Sequence, residues 1–546
     1  MAKYSLGLDY GTNSVRALLV DVGNGDEVAT SVFAYPSGEN GILLDSRDPN
    51  VARQNPRDYW EGFVAVTRDV LQSIDPKDVA GVGVDTTGSS PIPVDESGWA
   101  LAANPQFKDH LAAQCWLWKD HTSYDEAAEI TRVATDMNLP YLAKCGGTYS
   151  SEWFWSKILN CARTAPEVFE AAYSWVECCD FVCGFLTGNT NPLKMARSVC
   201  AAGHKAMYSA SWDGLPSKEF LGALDPRLPA LRDRLYKEAV PSDRVAGHIS
   251  AQVAAASGLP EGIPVAVGAF DAHFGAVASG VRPGVLVKII GTSTCDCMVH
   301  PLSQELPDIP GLCGIVENSI LPGHYGLEAG QSAVGDIFNW VSTLTGKSHE
   351  ELTSGAKELQ PGQSGLLALD WNNGNRTILV DPRLSGLLVG QSLHTTPAEI
   401  YRAVIESTAF GALKIIRRLE EYGVKVDEVV NCGGIADKSD LVMQIYADVC
   451  NRPMKVSKSS QTCALGSAIF GSVVAGIYPS VESAQQKMVG YKEQVYHPEP
   501  KAAEVYAKLF RLYSELHDAF GTKGWSGNLN FVMKELLALR EATRGH

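Results

Sequence analysis

One carboxylate near the start of the chain stands beside a turn that could bind phosphate. Asp9 ends an apolar run and is followed by a polar turn over residues 10–14, with the sequence YGTNS. The backbone N–H groups and hydroxyls of such a turn can surround phosphate oxygens, and Asp9 can hold a hydrated Mg²⁺ beside them. A second turn, GTST over residues 291–294, has the same character. Either turn alone could be an ordinary hairpin, but two of them favour a two-sided phosphate clamp.

A glycine turn in the second half offers a third site. Gly433 and Gly434 follow an apolar run over residues 428–432 and precede a helical pattern from about 439 to 451. The N-terminal amides of a helix favour an anion, and a flat glycine surface can receive a nucleobase. A plain connection between a strand and a helix would have the same sequence, so both interpretations stay open.

Several other kinds of site are excluded by missing residues. The sequence GKS at residues 346–348 resembles the end of a P-loop, but Val341 stands where that motif needs glycine. Thr86 likewise breaks the dinucleotide-binding fingerprint that begins at Gly81, and no GxSxG motif of a hydrolase occurs. The thirteen cysteines form no CxxC pair and no second cluster at zinc spacing, so we expect buried, reduced thiols.

Length, charge and composition restrict the class of protein. The chain has 546 residues, a length typical of about two to four domains. It carries a formal net charge of −16, and 45% of its residues are hydrophobic, as in ordinary globular proteins. An acidic chain with no block rich in lysine or arginine lacks the basic surface that nucleic acids and anionic membranes require. The first residues lack the apolar core of a signal peptide, and no run approaches about 18 apolar residues. We therefore expect a cytoplasmic protein whose main partner is a small polar substrate.

Strands and helices alternate in both halves of the chain, which predicts an α/β fold. In the first half, apolar runs at 5–9 and 15–21 form a predicted hairpin, followed by a helix at about 56–74 and a buried strand at 79–85. Strand-like runs at 263–271, 284–290 and 428–432 restart this order in the second half, and an amphipathic helix follows Pro500. The repetition predicts two related domains with a cleft between them and a boundary near residues 250–262.

Five motifs occur in a fixed order along the chain: DYGTNS at 9–14, GAFDAH at 268–273, GTST at 291–294, GGIA at 433–436 and ALGSA at 464–468. In this order they resemble the FGGY carbohydrate kinases, which lie within the superfamily of actin, hexokinase and the heat-shock chaperones. The resemblance spans about residues 4 to 480 and implies two ribonuclease-H-like α/β domains that flank a catalytic cleft. Residues 1–256 would form the sugar-binding domain with the first phosphate loop, and residues 257–546 the nucleotide-binding domain with the catalytic base.

The resemblance implies transfer of the γ-phosphoryl group of ATP, with Mg²⁺, to a primary hydroxyl of a bound sugar. Four further segments, which begin at Trp118, Tyr149, Cys200 and Glu328, are similar to those of family members that phosphorylate L-ribulose in L-arabinose degradation. D-ribulose, another ketopentose such as xylulose, and the polyols ribitol and glycerol stay open as acceptors. A chaperone- or actin-like ATPase is a further alternative. A noncatalytic sugar sensor would require loss of the base or of a phosphate loop, and it is disfavoured because Asp9, Thr12, Asp271 and Thr292 are all present. The resemblance also leaves a homodimer open.

Site residues follow from the resemblance one position at a time. Asp271 is the expected catalytic base, because a carboxylate can accept the hydroxyl proton late in the reaction; a cap for the helix that follows is the alternative. Lys205 and Glu328 are expected at the sugar, although a solvated surface lysine and a structural salt bridge would have the same sequence. Gln391 stands where the family usually has an aliphatic residue, which affects the local loop and not the chemistry. The expected contacts are Asp9 for the metal; Gly88, Lys205, Asp271 and Glu328 for the sugar; and Thr12, Asn13, Ser14, Gly291, Thr292, Gly335, Asn339, Gly434 and Lys438 for ATP.

Overall fold

Two large β-sheets organise the fold, in a computed structural model that describes residues 3–544. Three smaller sheets of two or three strands accompany them. The strands in chain order are β1 (Tyr4–Tyr10), β2 (Ser14–Asp21), β3 (Glu27–Ala34), β4 (Leu43–Asp45), β5 (Asp48–Gln54), β6 (Val79–Thr86), β7 (Pro91–Val94), β8 (Cys115–Trp116), β9 (Ser174–Glu177), β10 (Val245–His248), β11 (Pro264–Ala266), β12 (Ala269–Phe270), β13 (Gly284–Ile290), β14 (Thr294–Pro301), β15 (Gly314–Glu317), β16 (His324–Ala329), β17 (Leu367–Leu369), β18 (Leu387–Val389), β19 (Val426–Cys432) and β20 (Met454–Val456).

Helices connect these strands and cover the sheets. In chain order they are α1 (Pro56–Val70), α2 (Tyr124–Asp136), α3 (Phe154–Thr164), α4 (Pro166–Ala171), α5 (Cys178–Thr187), α6 (Val199–Lys205), α7 (Lys218–Leu224), α8 (Leu228–Arg232), α9 (Ala251–Ser257), α10 (Asp271–Ala278), α11 (Gly335–Thr345), α12 (His349–Lys357), α13 (Pro397–Glu421), α14 (Gly434–Lys438), α15 (Asp440–Cys450), α16 (Thr462–Val474), α17 (Val481–Met488), α18 (Pro500–Gly521) and α19 (Val532–Arg544). Within residues 3–544, every helix is too short or too polar to cross a bilayer.

The first sheet has the strand order β10-β11-β6-β1-β2-β3, with β12 also paired to β6. Strands β1, β2 and β3 form an antiparallel meander, which confirms the predicted hairpin. Strand β6 runs parallel to β1, and β11 and β12 run parallel to β6. Helix α1 begins at Pro56 because the side chain of Asn55 accepts a hydrogen bond from the N–H of Arg57.

The second sheet repeats this arrangement with the order β15-β16-β14-β13-β19-β20. Strands β13, β14 and β16 form the antiparallel meander, and β19 runs parallel to β13 with β20 parallel to β19. Three antiparallel strands followed by parallel strands thus occur in both halves. The predicted α/β fold with duplicated architecture is confirmed.

The two sheets divide later in the chain than the predicted boundary near residues 250–262. Strands β11 and β12 follow that boundary, yet both pair with β6 in the first sheet. The second sheet begins with β13, so the division falls between α10 and β13. An apolar run shows that a strand exists but not which strand it pairs with, which is why the sequence placed this segment in the second half. The assignment of residues 1–256 and 257–546 to two domains stays a prediction.

Helices cover both faces of the first sheet, because side chains alternate along each strand. On β2, Val15 and Leu19 belong to one buried cluster with Phe63 of α1. Leu18 belongs to another buried cluster, which includes Leu465 of α16. A helix from the second half of the chain therefore closes the first sheet.

Glycines on β1 and β6 let α16 approach this sheet closely. A Cβ atom on Gly7 would lie 1.8 Å from the carbonyl oxygen of Ala464. A Cβ atom on Gly83 would lie 1.9 Å from the carbonyl oxygen of Ser467. Any larger side chain at these positions would force the helix away from the sheet.

The core of the second half is built around the helices α13 and α18. Helix α13 begins at Pro397, where Thr396 and Glu399 form a reciprocal capping box. The amphipathic helix predicted after Pro500 is α18, and its apolar face is buried. The residues of α18 that enter this core include Tyr506, Leu509, Leu512, Tyr513 and Leu516.

Replacing Gly83 by alanine is expected to destabilise the fold by about 1–3 kcal/mol, the usual cost of overpacking a core. The added methyl group would meet backbone atoms of α16, which cannot rotate aside as a flexible side chain could. Gly524→Ala is the control, since a Cβ atom there meets nothing within 4 Å. The measurement is the midpoint of urea unfolding. Equal midpoints for the two variants would contradict the close packing of α16 on β6.

Candidate active site

Three carboxylates meet at the ends of parallel strands of the first sheet. Asp9 of β1 and Asp85 of β6 are direct partners in the parallel ladder, so their side chains leave the sheet on the same side. Asp271 follows β12, whose Ala269 pairs with Asp85. The strand register therefore brings the predicted metal ligand and the predicted base together. Asp85 was missed, because the sequence shows only that it ends an apolar strand.

Burial raises the pKa of all three carboxyl groups, and the negative charge of Asp9 adds to the rise at Asp85 and Asp271. Burial raises the pKa of Asp271 to about 6, and the negative charge of Asp9 adds to this rise. Burial also raises the pKa of Asp9, although Asp85 and Arg16 oppose the shift. The pKa of Asp85 lies well above its ordinary value, because of burial and the charge of Asp9. The cluster therefore favours binding of a cation or a proton.

Only one oxygen of the Asp85 carboxylate accepts a hydrogen bond from the described residues. Its Oδ2 accepts a hydrogen bond of 2.6 Å from the hydroxyl of Ser467 on α16. Its Oδ1 is buried and has no hydrogen-bond partner among residues 3–544. A buried acceptor without a partner is costly, so this oxygen is a candidate for contact with a bound cation.

Asp271 is the first residue of α10. The N-cap position is Phe270, which makes no capping bond through its side chain. Oδ1 of Asp271 accepts a hydrogen bond of 2.7 Å from the N–H of Ala272. This bond fixes the orientation of the carboxylate, which is only partly buried and can still meet a ligand.

The first polar turn is closed by its own backbone and held from outside. The N–H of Gly11 donates to the carbonyl of Ser14 at 2.9 Å. The side chain of Gln54 donates to the carbonyl of Thr12 at 2.7 Å, and Nε1 of Trp118 donates to Oγ1 of Thr12 at 3.1 Å. The turn is therefore rigid beside Asp9.

The second polar turn lies against the N-terminus of α11. The N–H groups of Val334 and Gly335 donate to the carbonyls of Thr292 and Gly291, at 2.7 and 3.1 Å. A Cβ atom on Gly335 would lie 2.7 Å from the carbonyl oxygen of Gly291, so the contact needs a glycine. The structure thus brings Gly291, Thr292 and Gly335 together.

A buried ion pair stands behind this second turn. Lys288 and Asp296 are partners across the hairpin of β13 and β14 that carries the turn, with Nζ 2.8 Å from both carboxylate oxygens. Nζ also donates to Oε1 of Gln331 at 2.8 Å, and Nε2 of Gln331 donates to Asp370 at 2.7 Å. These residues were missed by sequence reasoning. The available signal was a lysine inside an apolar strand, since an interior lysine must be paired.

The glycine turn after β19 adjoins the second polar turn. Strands β13 and β19 are parallel neighbours, with Ile289 opposite Cys432. Gly433 has a φ of +93°, and a Cβ atom there would lie 2.5 Å from the carbonyl oxygen of Ile290, so the turn requires glycine. A Cβ atom on Gly434 would meet nothing within 4 Å, which leaves room for a flat ligand above it.

Three predicted ATP contacts are less constrained. Asn13 is exposed, and its amide donates away from the turn to the carbonyl of Asn40 at 2.6 Å. Asn339 on α11 and Lys438 at the end of α14 are both exposed. All three lie on elements next to the turns, but the protein itself does not orient them towards a ligand.

Lys205 and Glu328 form a buried ion pair between α6 and β16, so Lys205 is not a solvated surface lysine. Nζ lies 2.9 Å from Oε1 and 3.2 Å from Oε2. Burial would raise the pKa of Glu328, but Lys205 and the neighbouring histidines hold it well below its ordinary value. The rings of Trp153 and Phe270 lie 5.2 and 5.8 Å from Nζ. A Cβ atom on Gly88 would lie 1.8 Å from the ring of Phe270, so Gly88 packs against the same ring that lies near Lys205.

Two histidines complete the surroundings of Glu328. Nδ1 of His204 and Nε2 of His273 lie 3.3 and 3.2 Å from its Oε2. Within residues 3–544, this is the one group of three or more His, Cys, Asp and Glu residues whose ligand atoms are close enough together to hold a metal ion. The ammonium of Lys205 already brings a positive charge to the same carboxylate, which favours an ion cluster without a metal. Neither histidine was predicted to have a role.

A buried lysine and a buried glutamate hold the loop that follows β6. Nζ of Lys157 donates to the carbonyls of Ser89 and Leu117, at 2.7 and 2.8 Å. The carboxylate of Glu177 accepts from the N–H of Ser90 at 2.8 Å and from the hydroxyl of Ser89. Burial lowers the pKa of Lys157 and raises that of Glu177. The backbone around Gly88 is therefore fixed from two sides.

The remaining predictions concern residues away from these loops. All thirteen cysteines are free, and all except Cys295 and Cys463 are buried, as predicted. Gln391 is exposed, and its side chain donates to the carbonyl of Leu388 at 2.8 Å. Its departure from the expected aliphatic type therefore concerns only that loop.

The chain is similar to known carbohydrate kinases along most of its length. The family model "FGGY family of carbohydrate kinases, N-terminal domain" matches residues 4–278, and the corresponding C-terminal domain matches residues 286–475. The gap between the two matches coincides with the division between the two sheets.

Curated relatives and solved structures agree with these matches. A ribulokinase of Geobacillus thermodenitrificans is 42% identical to this chain, over 99% of this chain and 98% of that protein. A ribulokinase of Vibrio parahaemolyticus is 41% identical, over 94% of this chain and 95% of that protein. The crystal structure of a xylulose kinase from Rhodospirillum rubrum superposes with a TM-score of 0.78 at 25% identity, covering 94% of this chain and 98% of that one.

Replacing Asp271 by asparagine is expected to stabilise the fold at pH 8 by about 1–3 kcal/mol. Burial raises the pKa of this carboxyl to about 6, so ionising it costs folding free energy that a neutral amide does not. The stabilisation is largest above pH 6 and shrinks as the pH falls towards 4, since the protonated carboxyl carries no such cost. Urea unfolding at pH 8 and pH 5 measures it, with the exposed Asp109→Asn as control. An equal gain at both pH values would contradict the raised pKa.

Proposed function

The chain belongs to the FGGY family of carbohydrate kinases, and from this we propose that it transfers the γ-phosphoryl group of ATP to L-ribulose, giving ribulose 5-phosphate in L-arabinose degradation. It is a sugar kinase, and ATP is its phosphoryl donor. The observation that carries the choice of acceptor is identity of about 40% to ribulokinases over nearly the whole chain. D-ribulose is a further candidate acceptor. Another ketopentose or a polyol is the alternative, because a xylulose kinase shares the fold.

The proposed reaction uses Asp271 as the base. Phosphoryl transfer needs an acceptor oxygen in line with the γ-phosphorus, neutralised phosphate oxygens and a group that takes the hydroxyl proton. The bond from the sugar oxygen to phosphorus forms as the bond to ADP breaks, and Asp271 accepts the proton. With a pKa of about 6, the carboxylate is ionised at neutral pH and yet more basic than an ordinary aspartate.

The two polar turns are proposed to hold the phosphates from opposite sides. Thr12 and Ser14 lie in the first turn, beside Asp9. Thr292 lies in the second turn, which packs against the N-terminus of α11. Backbone N–H groups and hydroxyls are the donors that such turns offer to phosphate oxygens. The adenosine is proposed to lie over Gly434, where the structure leaves open space.

Asp9 is the proposed ligand of Mg²⁺, with Asp85 beside it. The residues fit this ion, because carboxylate oxygens are ligands that Mg²⁺ prefers and Oδ1 of Asp85 is a buried acceptor without a partner among the described residues. When bound, the ion would neutralise charge on the phosphate oxygens. It would also offset the negative charge of Asp9, which raises the pKa of Asp85.

The sugar is proposed to lie against Lys205, Glu328 and the backbone at Gly88. A buried ammonium and a buried carboxylate offer a fixed donor and a fixed acceptor, which is what discrimination between hydroxyl groups requires. Both groups already contact each other at 2.9 Å, and Phe270 joins them to Gly88.

The two halves are proposed to close over the substrates, because water would otherwise hydrolyse the γ-phosphate. We propose the hinge at the division of the sheets between α10 and β13, later in the chain than the predicted position near residue 255. Identical X-ray scattering profiles with and without sugar and ATP analogue would contradict closure. A homodimer and a cytoplasmic location stay predictions.

Asp271→Ala is expected to lower kcat by about 10²–10⁴-fold, the usual contribution of a general base. A coupled assay of ADP release with MgATP measures this against L-ribulose, D-ribulose, L-xylulose, D-xylulose, ribitol and glycerol. The wild-type protein is expected to turn over fastest with L-ribulose. The exposed Asp109→Ala serves as the matched control.

Two outcomes of this assay would contradict different parts of the proposal. Preference for another sugar would keep the kinase activity but reject L-ribulose. ATP turnover that needs no sugar and survives the loss of Asp271 would indicate an ATPase of the chaperone or actin kind.

The pH dependence of the reaction gives an independent check of the base. The rate with the sugar and MgATP both well below their KM values, which reports the ligand-free protein, is expected to fall on acidification with a midpoint near pH 6. The direction follows because protonation of Asp271, whose pKa burial and Asp9 raise to about 6, removes its ability to accept the hydroxyl proton. Initial rates between pH 5 and pH 8.5 measure the midpoint. A flat profile over this range would contradict Asp271 as the base.

A further inference from the structure

The side chains that surround Glu328 have a role that the proposed reaction does not assign. We propose that His204 and His273 are positioning residues, which hold the Glu328 carboxylate in the orientation that receives the sugar beside Lys205. The proposal rests on the proposed function, because Glu328 and Lys205 are the sugar contacts in it. Neither histidine needs to touch the sugar.

Both oxygens of the Glu328 carboxylate are held. Oε1 lies 2.9 Å from Nζ of Lys205. Oε2 lies 3.2 Å from Nε2 of His273, 3.3 Å from Nδ1 of His204 and 3.2 Å from Nζ of Lys205. Lys205 alone would leave the carboxylate free to turn about its last torsion. The two histidines remove this freedom by contacting the oxygen that Lys205 holds less closely.

Each histidine ring is fixed at its other nitrogen. Nδ1 of His273 lies 2.8 Å from the sulfur of Cys200, and Nε2 of His204 lies 2.9 Å from the hydroxyl of Ser319. The two ring centroids are 4.5 Å apart, and both rings are buried. His273 is hydrogen-bonded at both ring nitrogens and cannot turn away from Glu328. His204 is hydrogen-bonded only at Nε2, and its buried Nδ1 faces Oε2 at 3.3 Å without a hydrogen bond, so it restrains the carboxylate by contact.

The residues of this cluster come from separate parts of the chain. His204 and Lys205 end α6, and Glu328 lies on β16 of the second sheet. His273 lies on α10, two residues after Asp271. Helix α10, which begins with the proposed base Asp271, thus also contacts Glu328 through His273. Glu328 is the proposed hydrogen-bond acceptor for the sugar. Preorganised groups of this kind lower the cost of binding a substrate in its reactive position.

Replacing each histidine by asparagine and by glutamine tests the contacts of its two ring nitrogens separately. The amide of glutamine reaches the place of Nε2, and the amide of asparagine reaches the place of Nδ1. His273→Gln therefore keeps the contact with Glu328, whereas His273→Asn keeps only the contact with Cys200. For His204 the order is reversed: Asn keeps the contact with Glu328, and Gln keeps the contact with Ser319. A general loss of packing would not produce this crossed order.

The expected result is a rise of about tenfold or more in the sugar KM for His273→Asn, the usual effect of losing a hydrogen bond to a charged group. His204→Gln is expected to raise it by about three- to fivefold, since Nδ1 of His204 contacts Oε2 without a hydrogen bond. His273→Gln and His204→Asn are expected to stay within about twofold of wild type. The KM for ATP should change little in all four variants, because the nucleotide turns do not contact this cluster. The exposed His248, replaced by Asn and by Gln, is the control.

Three results would overturn the proposal. The first is an equal or reversed effect of Asn and Gln at either position. The second is a rise in the KM for ATP as large as that for the sugar. The third is stoichiometric zinc in the purified protein whose removal raises the sugar KM, because the histidines would then be metal ligands.

A milder variant keeps the proposal testable if the histidine variants fail to fold. Ser319→Ala removes the hydrogen bond to Nε2 of His204 with little change in side-chain volume. It should raise the sugar KM by about threefold and leave the KM for ATP unchanged. An unchanged sugar KM in this variant would overturn the role of His204. If wild type prefers another sugar, or binds sugar without turnover, the same comparisons are made with that sugar by kinetics or calorimetry. Failure of the positioning role is thereby separated from failure of the L-ribulose assignment.

Discussion

Negative charge concentrated at the ends of parallel strands is the constraint on which the rest of this structure depends. The ladder between β1 and β6 places Asp9 directly beside Asp85, and β12 delivers Asp271 to the same point. The protein offers this group little compensation, so the pKa of each carboxyl is raised. A site that is poorly satisfied without its ligands suits the proposed binding of phosphates accompanied by a cation, and the raised pKa of Asp271 suits its proposed role as the base.

Buried lysines support several segments around this charge, whereas the first polar turn is held by its own backbone, Gln54 and Trp118. Lys157 holds the loop after β6, Lys288 lies under the second polar turn, and Lys205 faces Glu328 at the proposed sugar site. Each lysine is buried and is satisfied by carbonyl groups or a carboxylate, so each is costly to displace. The glycine-lined contact of α16 with the first sheet, at Gly7 and Gly83, adds a rigid support below the carboxylates.

The sequence predicts this structure well where the signal is local and poorly where it depends on partners. The apolar runs that became β1, β2, β6, β13 and β19 were readable, and so was the class of fold. The pairing of β11 and β12 with β6 could not be predicted, because an apolar run does not show which strand it will pair with. Asp85 and the two histidines were missed for the same reason: their importance lies in strand register and in contacts between distant segments. The roles of Asp271 and Glu328 came from the family resemblance, not from local pattern.

The most direct test of the account is a crystal structure of the protein with L-ribulose and a nonhydrolysable ATP analogue. The account predicts a primary hydroxyl of the sugar about 2.6–3.2 Å from the Asp271 carboxylate. It also predicts that this hydroxyl lies in line with the γ-phosphorus, with Lys205 and Glu328 on other hydroxyls of the same sugar. A sugar bound away from Lys205 and Glu328, with Asp271 bonded only to the N–H of Ala272, would contradict it.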